Sequence, residues 1–190
     1  LLNEYSHLKK IVFTGNIGEC QDLPSVLEAI EILKHRNDFV FLIVGSGREE
    51  GRVSRLVSDN GLENHVRLLG RFPVEYMPSF YHFADALLLP LAKDPLFEIT
   101  LPGKTQSYLY AGRPIIGFLD GEGASVLLRS KSAFVCRAGN SNELAEAIEK
   151  FCNSSQGELD ELGLSARRYA EENFRSERVM DTLFEVCGLR

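Results

Sequence analysis

Six short β-rich runs, most of them continuously apolar, punctuate this chain, and stretches with helical spacing separate them. The runs are "KIVFTG" (10–15), "FVFLIVG" (39–45), "HVRLLG" (65–70), "ADALLLP" (84–90), "RPIIGFL" (113–119) and "SAFVC" (132–136). A strand that alternates apolar and polar residues can leave one face in water, but a strand that is apolar throughout needs cover on both faces. Helices between successive strands give that cover when the strands run parallel and are joined by crossovers. The pattern therefore predicts an α/β fold with an open, doubly wound, six-stranded parallel sheet of Rossmann-like type.

The connecting segments support this. "DLPSVLEAIEILKH" (22–35) puts Leu23, Val26, Leu27, Ile30 and Leu33 on one helical face, with Asp22 as a cap and Pro24 in the first turn. "EEGRVSRLVSDNG" (49–61) repeats the spacing and stops at Asn60-Gly61. "VEYMPSFYHF" (74–83) contains Pro78 and predicts a short helix. "SNELAEAIEKFC" (141–152) opens on a Ser-Asn-Glu cap signature and turns Leu144, Ile148 and Phe151 inward. Residues 158–187 read as two helices broken near Asn173-Phe174. The expected organisation is one domain over 1–190, with 158–190 a helical C-terminal tail. The chain opens without Met and runs quickly into a strand, as a piece of a longer protein would.

Charge and composition narrow the function classes. A formal net charge of -6 offers no basic surface for a nucleic-acid backbone, so nucleic acid is not an expected partner. Cys20, Cys136, Cys152 and Cys187 lack CxxC spacing, which argues for reduced thiols in a cytoplasmic protein and against a zinc site or a disulfide framework. His7, His35, His65 and His82 form neither a hydrolytic triad pattern nor a metal-ligand pair, so no metal is expected. No apolar run approaches the roughly 20 residues that span a bilayer, and no signal segment opens the chain.

In sheets of this kind ligands bind beyond the carboxyl ends of the strands, which directs attention to the loops after each one. After the first, "TGNIGECQD" (14–22) places Gly15, Asn16 and Gly18 before a helix; they are either ligand contacts or a plain turn. After the second, "VGSGREEG" (44–51) has the glycine triplet Gly45, Gly47 and Gly51 of a dinucleotide fingerprint, and Arg71 beyond the third strand is able to meet the extra phosphate of NADP. Arg71 also suits any other phosphate, and Phe72 beside it offers a flat wall for a base. After the fourth comes "FEITLPGKTQSYLYAGRP" (97–114), in which Pro102-Gly103 leads into a helix that ends at Gly112. Lys104 then stands in the first turn, where the macrodipole disfavours a cation. A bound polyphosphate reverses the sign, since lysine and free N–H groups attract it together. Glu98, Gln106 and Ser107 flank the lysine as hydrogen-bonding candidates for ligand hydroxyls.

These segments resemble the C-terminal, nucleotide-sugar-binding half of GT-B glycosyltransferases, specifically the family 4 retaining enzymes of bacterial polysaccharide and lipopolysaccharide assembly. The likeness runs through "FTGNIGECQDL", "FLIVGSGRE", "VRLLGRFPVEYMPSFYHFADALLLPL" and "LPGKTQSYLYAGRPIIGFLDGEGA", the last having the form P-x-K-x-x-x-Y-x-x-x-G-x-P. It implies a donor, UDP-linked, held in the crevice facing an N-terminal acceptor domain that this chain lacks, and transfer to a polysaccharide or lipid-linked acceptor without metal or other cofactor. It implies a cytoplasmic enzyme, peripheral at the inner membrane face through that other domain. Lys104 and Glu98 take the catalytic places, Glu98 one position from the family's first acid. Gly15, Asn16, Gly18, Arg71, Phe72, Gly103, Gln106 and Ser107 take the donor-binding ones. Ser107 stands where the family commonly has a ribose-binding glutamate, and Asn16 and Gln21 where many members have Arg and Lys. The competing classes are an NADP-binding oxidoreductase domain and a non-catalytic flavodoxin-like interaction module.

Overall fold

All six expected strands form: β1 (Lys9–Thr14), β2 (Phe39–Val44), β3 (Val66–Gly70), β4 (Ala86–Pro90), β5 (Ile115–Phe118) and β6 (Ala133–Cys136). The computed structural model describes residues 4–175. Its strands make one parallel sheet in the order β3-β2-β1-β4-β5-β6. The helices are α1 (Leu23–Ile32), α2 (Glu50–Asp59), α3 (Met77–Phe83), α4 (Pro95–Glu98), α5 (Lys104–Ala111), α6 (Gly121–Ser130), α7 (Ser141–Asn153) and α8 (Gln156–Asn173).

Successive strand residues point to opposite faces, so the apolar runs feed two separate cores. Ile11 and Phe13 of β1 join Phe39, Phe41 and Ile43 of β2 in a cluster with α1, α2 and α7. Val12, Val40, Leu42 and Val44 face the other way, onto Tyr108 and Leu109 of α5 and Val126 and Leu127 of α6. Helix α8 spans both, with Leu159 in the first cluster and Ala166 and Ala170 in the second. This is why the strands show no alternation in sequence.

Strand order reverses between β1 and β4, and there the ladder is short. β1 pairs with β2 along its whole length, from Lys9↔Phe39 to Thr14↔Val44. With β4 it shares only Ile11↔Ala86 and Val12↔Leu87. Beyond Val12 the two strands share no further paired residues, and the loops at this carboxyl edge are where a ligand is expected.

Several local readings change. Asp22 occupies the N-cap place of α1, but its side chain caps nothing; its backbone is left-handed because it also closes the single 3-10 turn Glu19–Gln21, donating its N–H to Glu19. The cap of α7 is Asn140, one residue before the predicted Ser141, and its side chain accepts from the Glu143 N–H at 3.2 Å. Ser141 instead donates to Glu28. The four-residue helix α4, capped by Asp94, interrupts what sequence read as open loop. Of the two tail helices the first is α8; the second lies outside the described residues.

Candidate functional site

The loops after β1, β2 and β3 are laced together by their backbones. Gly15 donates to Val44 O at 2.8 Å, Ile17 to Ser46 O at 2.9 Å, Glu49 to Ile17 O at 3.0 Å and Gly45 to Gly70 O at 2.8 Å. The glycines of "VGSGREEG" serve this lacing. A Cβ on Gly45 would stand 1.8 Å from Gly15 O, and one on Gly47 2.2 Å from Ile17 O, whereas Gly51 has open space around it. Two of the three are therefore required by neighbouring backbone, and the fingerprint's third position, which a dinucleotide fold needs for close helix packing, is unconstrained here. The geometry disfavours the NADP reading.

The same lacing limits what the first loop can offer a ligand. Its amides are largely spent, since Gly15 and Ile17 bond to the second loop and Gly18 donates to Gln21 Oε1 at 3.2 Å. Among the described residues the Asn16 N–H of this loop has no acceptor, and neither do the N–H groups of Gly103 and Lys104 at the start of α5.

Lys104 is the first residue of α5, and its side chain reaches over the carboxyl end of β1. The ammonium lies 4.3 Å from the centre of the Phe13 ring, a cation–π contact. It also packs so closely on Gly15 that a Cβ there would come within 2.4 Å of Nζ. Among the described residues it has no carboxylate partner and no hydrogen bond. Burial alone lowers its pKa to about 8. The cation that sequence placed against a helix dipole is thus also partly desolvated, a second cost that the protein offsets only with the Phe13 ring face.

A cleft of about 310 Å³ joins Gly15, Asn16, Val44, Gly45, Ser46, Arg71, Phe72 and Met77. The structure therefore brings together Gly15, Asn16, Arg71 and Phe72 as expected. Phe72 meets Phe80 edge to face, ring centres 4.9 Å apart, which fixes one wall. Gly18 lies off this cleft, turned back on Gln21. Gln106 and Ser107 are exposed on α5 and Glu98 is exposed at the end of α4. Glu98 is located by its backbone, which packs against Gly121 at the start of α6. Sequence reasoning missed Phe13 as the lysine's platform, and Ser46 and Met77 as lining residues. Nothing in the apolar run "KIVFTG" distinguishes Phe13 from its neighbours, because its role depends on a helix some 90 residues later.

The lowered pKa of Lys104 carries a stability signature. The unfolded chain holds this proton up to about pH 10.5 and the folded chain only to about 8. Between those values the unfolded state binds more protons, so folding stability gains from this residue as pH rises. Lys104→Met, which keeps the stem over Phe13, is expected to melt above the wild type at pH 7, the difference shrinking between pH 8 and 10.5; paired thermal melts across that range check it.

Comparison with known proteins decides the family. The family described as Glycosyl transferases group 1 matches residues 8–154. The chain belongs to this family. It is 26% identical over 182 residues to the amylovoran biosynthesis glycosyltransferase AmsK of Erwinia amylovora, covering 93% of this chain and 44% of that protein. It spans less than half the length of the first curated relatives it matches. Among solved structures, Anabaena HepE in complex with UDP superposes with a TM-score of 0.83 at 15% identity, over 99% of this chain and 50% of HepE. The C-terminal domain of the group 1 glycosyl transferase LpcC of Francisella tularensis gives 0.73 at 12% identity, over 92% and 91% of the two chains. The fold is that of a GT-B glycosyltransferase domain, as the resemblance implied. Among the described residues no helix is long and apolar enough to cross a membrane, and no three His, Cys, Asp or Glu gather as a metal set.

Proposed function

We propose that this domain binds the diphosphate of a nucleotide-sugar donor at the parting of β1 and β4, with Lys104 as the central phosphate ligand. One observation carries the reading: a half-buried ammonium without a carboxylate partner belongs to the first residue of a helix whose Gly103 and Lys104 N–H groups have no acceptor among the described residues. A diphosphate supplies the missing anion and satisfies both. Arg71, exposed across the cleft, adds a second cation, and Phe72 flanks the base. The donor is UDP-linked, which the resemblance implies and the UDP held by HepE supports.

The chemistry follows from charge. As the bond from the anomeric carbon to the phosphate oxygen breaks, its electron pair goes to the leaving diphosphate and the sugar acquires oxocarbenium character. Donors already aimed at the leaving group lower that barrier because they need no reorganisation during the reaction. Lys104 and the Gly103 and Lys104 amides supply them without metal. Glu98 meets sugar hydroxyls, and Gln106 and Ser107 the ribose. Transfer proceeds with retention to a saccharide or lipid-linked acceptor on a separate N-terminal domain. The domain alone binds donor and does not transfer sugar.

A thermal-shift series with UDP, GDP, UDP-sugars and NADPH tests this, because a ligand that binds only the folded state raises its melting temperature. UDP and UDP-sugars are expected to stabilise the chain, with an effect that fades above about pH 8 as free Lys104 loses its proton. Stabilisation by NADPH alone would overturn the reading.

A further inference from the structure

Where β1 and β4 part, one backbone donor of β1 loses its place in the ladder. Thr14 lies beyond the last β1–β4 pair, and its N–H is taken not by a strand but by the hydroxyl oxygen of Tyr108, at 3.1 Å. The Thr14 hydroxyl lies 3.2 Å from the same oxygen. Tyr108 is wholly buried, and Tyr81 of α3 packs edge to face against it, ring centres 5.5 Å apart. Two contacts thus tie the middle of α5 to the last residue of β1. Lys104 lies one helical turn before Tyr108. Its ammonium rests on Phe13 and against Gly15, the residues on either side of Thr14. The lysine holds no polar contact of its own that would set its height above the crevice. The tyrosine anchor sets it instead.

We propose that Tyr108 is a positioning residue: by replacing the missing ladder partner of Thr14 it fixes α5, and through it Lys104 and the helix-start amides, at the distance from the first loop that a diphosphate requires. This rests on the diphosphate reading above. Tyr108 touches no ligand itself. Its effect must therefore vanish where Lys104 has nothing to position, and must be confined to ligands that carry phosphate.

The test is a double-mutant cycle on residues 1–190, with UDP and uridine titrated calorimetrically well below each variant's melting temperature. If GDP is the nucleotide that stabilises the chain, GDP and guanosine replace them. Tyr108→Phe keeps the ring and is expected to weaken UDP binding about tenfold while leaving uridine unchanged. In the Lys104→Ala background the same change is expected to cost UDP less than twofold. Equal losses for UDP and uridine would make Tyr108 merely structural and overturn the proposal. So would a tenfold loss that persists without Lys104, or no loss at all in a chain where Lys104→Ala weakens UDP. If Lys104→Ala leaves UDP binding intact, the diphosphate reading itself fails. Should Tyr108→Phe not fold, Thr14→Val removes the hydroxyl contacts to Tyr108 and Tyr81 and keeps the amide one to Tyr108. It is then expected to weaken UDP about threefold and uridine not at all, and any other outcome overturns the proposal.

Discussion

Lys104→Ala is expected to abolish stabilisation by UDP and, where the proposed sugar transfer is measured, to lower it about 100- to 1000-fold, the cost of losing one preorganised donor at a developing anion. The size follows from the setting. In water an ammonium and a phosphate attract weakly, but this ammonium is half-buried and lies over an aromatic face. The domain bears that desolvation when empty and recovers it when an anion arrives. Two measurements on one residue should therefore move in opposite directions: without donor Lys104→Met, which keeps the stem over Phe13, melts above the wild type at pH 7, and with UDP neither it nor Lys104→Ala gains anything. A surface lysine would show neither effect. Initial rates with a UDP-sugar, alongside melts with and without UDP, separate the cases.

Gly45→Ala is expected to be the most damaging single change in the loops, lowering stability by about 3 kcal/mol or more in urea denaturation. The residue sits at φ +152°, outside the range of L side chains, and its would-be Cβ falls 1.8 Å from Gly15 O, a backbone atom with nowhere to go. Any relief must pull the first loop away from the second and so open the floor beneath Lys104. Gly51→Ala is the matched control. No atom lies within 4 Å of a Cβ there and the residue is helical, so alanine is expected to be neutral or to stabilise by up to about 1 kcal/mol. If Gly51→Ala proved as costly as Gly45→Ala, the packing account of the glycine triplet would be wrong.

The architecture was legible because it rests on properties that each segment carries by itself. Runs such as "FVFLIVG" are apolar at every position, a requirement of burial on both faces, and "DLPSVLEAIEILKH" shows its helical stripe without reference to anything else. Local caps were less legible. Asp22 has the right side chain in the right place, yet the preceding 3-10 turn forces it into a conformation from which it does not cap. The short helix α4 lies in a stretch too brief to display a period.

The candidate site divides along the same line. Sequence determined that a lysine enters a helix at its unfavourable end, that Gly15, Asn16, Arg71 and Phe72 stand at carboxyl ends of strands, and that six strands share a parallel sheet. Those facts depend on spacing along the chain. Only the tertiary structure decided that β1 and β4 part after Val12, that the Lys104 ammonium rests on Phe13, that the Gly15 amide is already spent, and that Tyr108 takes up the N–H of Thr14. Each of these depends on residues 29 to 94 positions apart in sequence, brought together by strand order and by the angle at which helices cross the sheet edge, and neither quantity is written in any one segment.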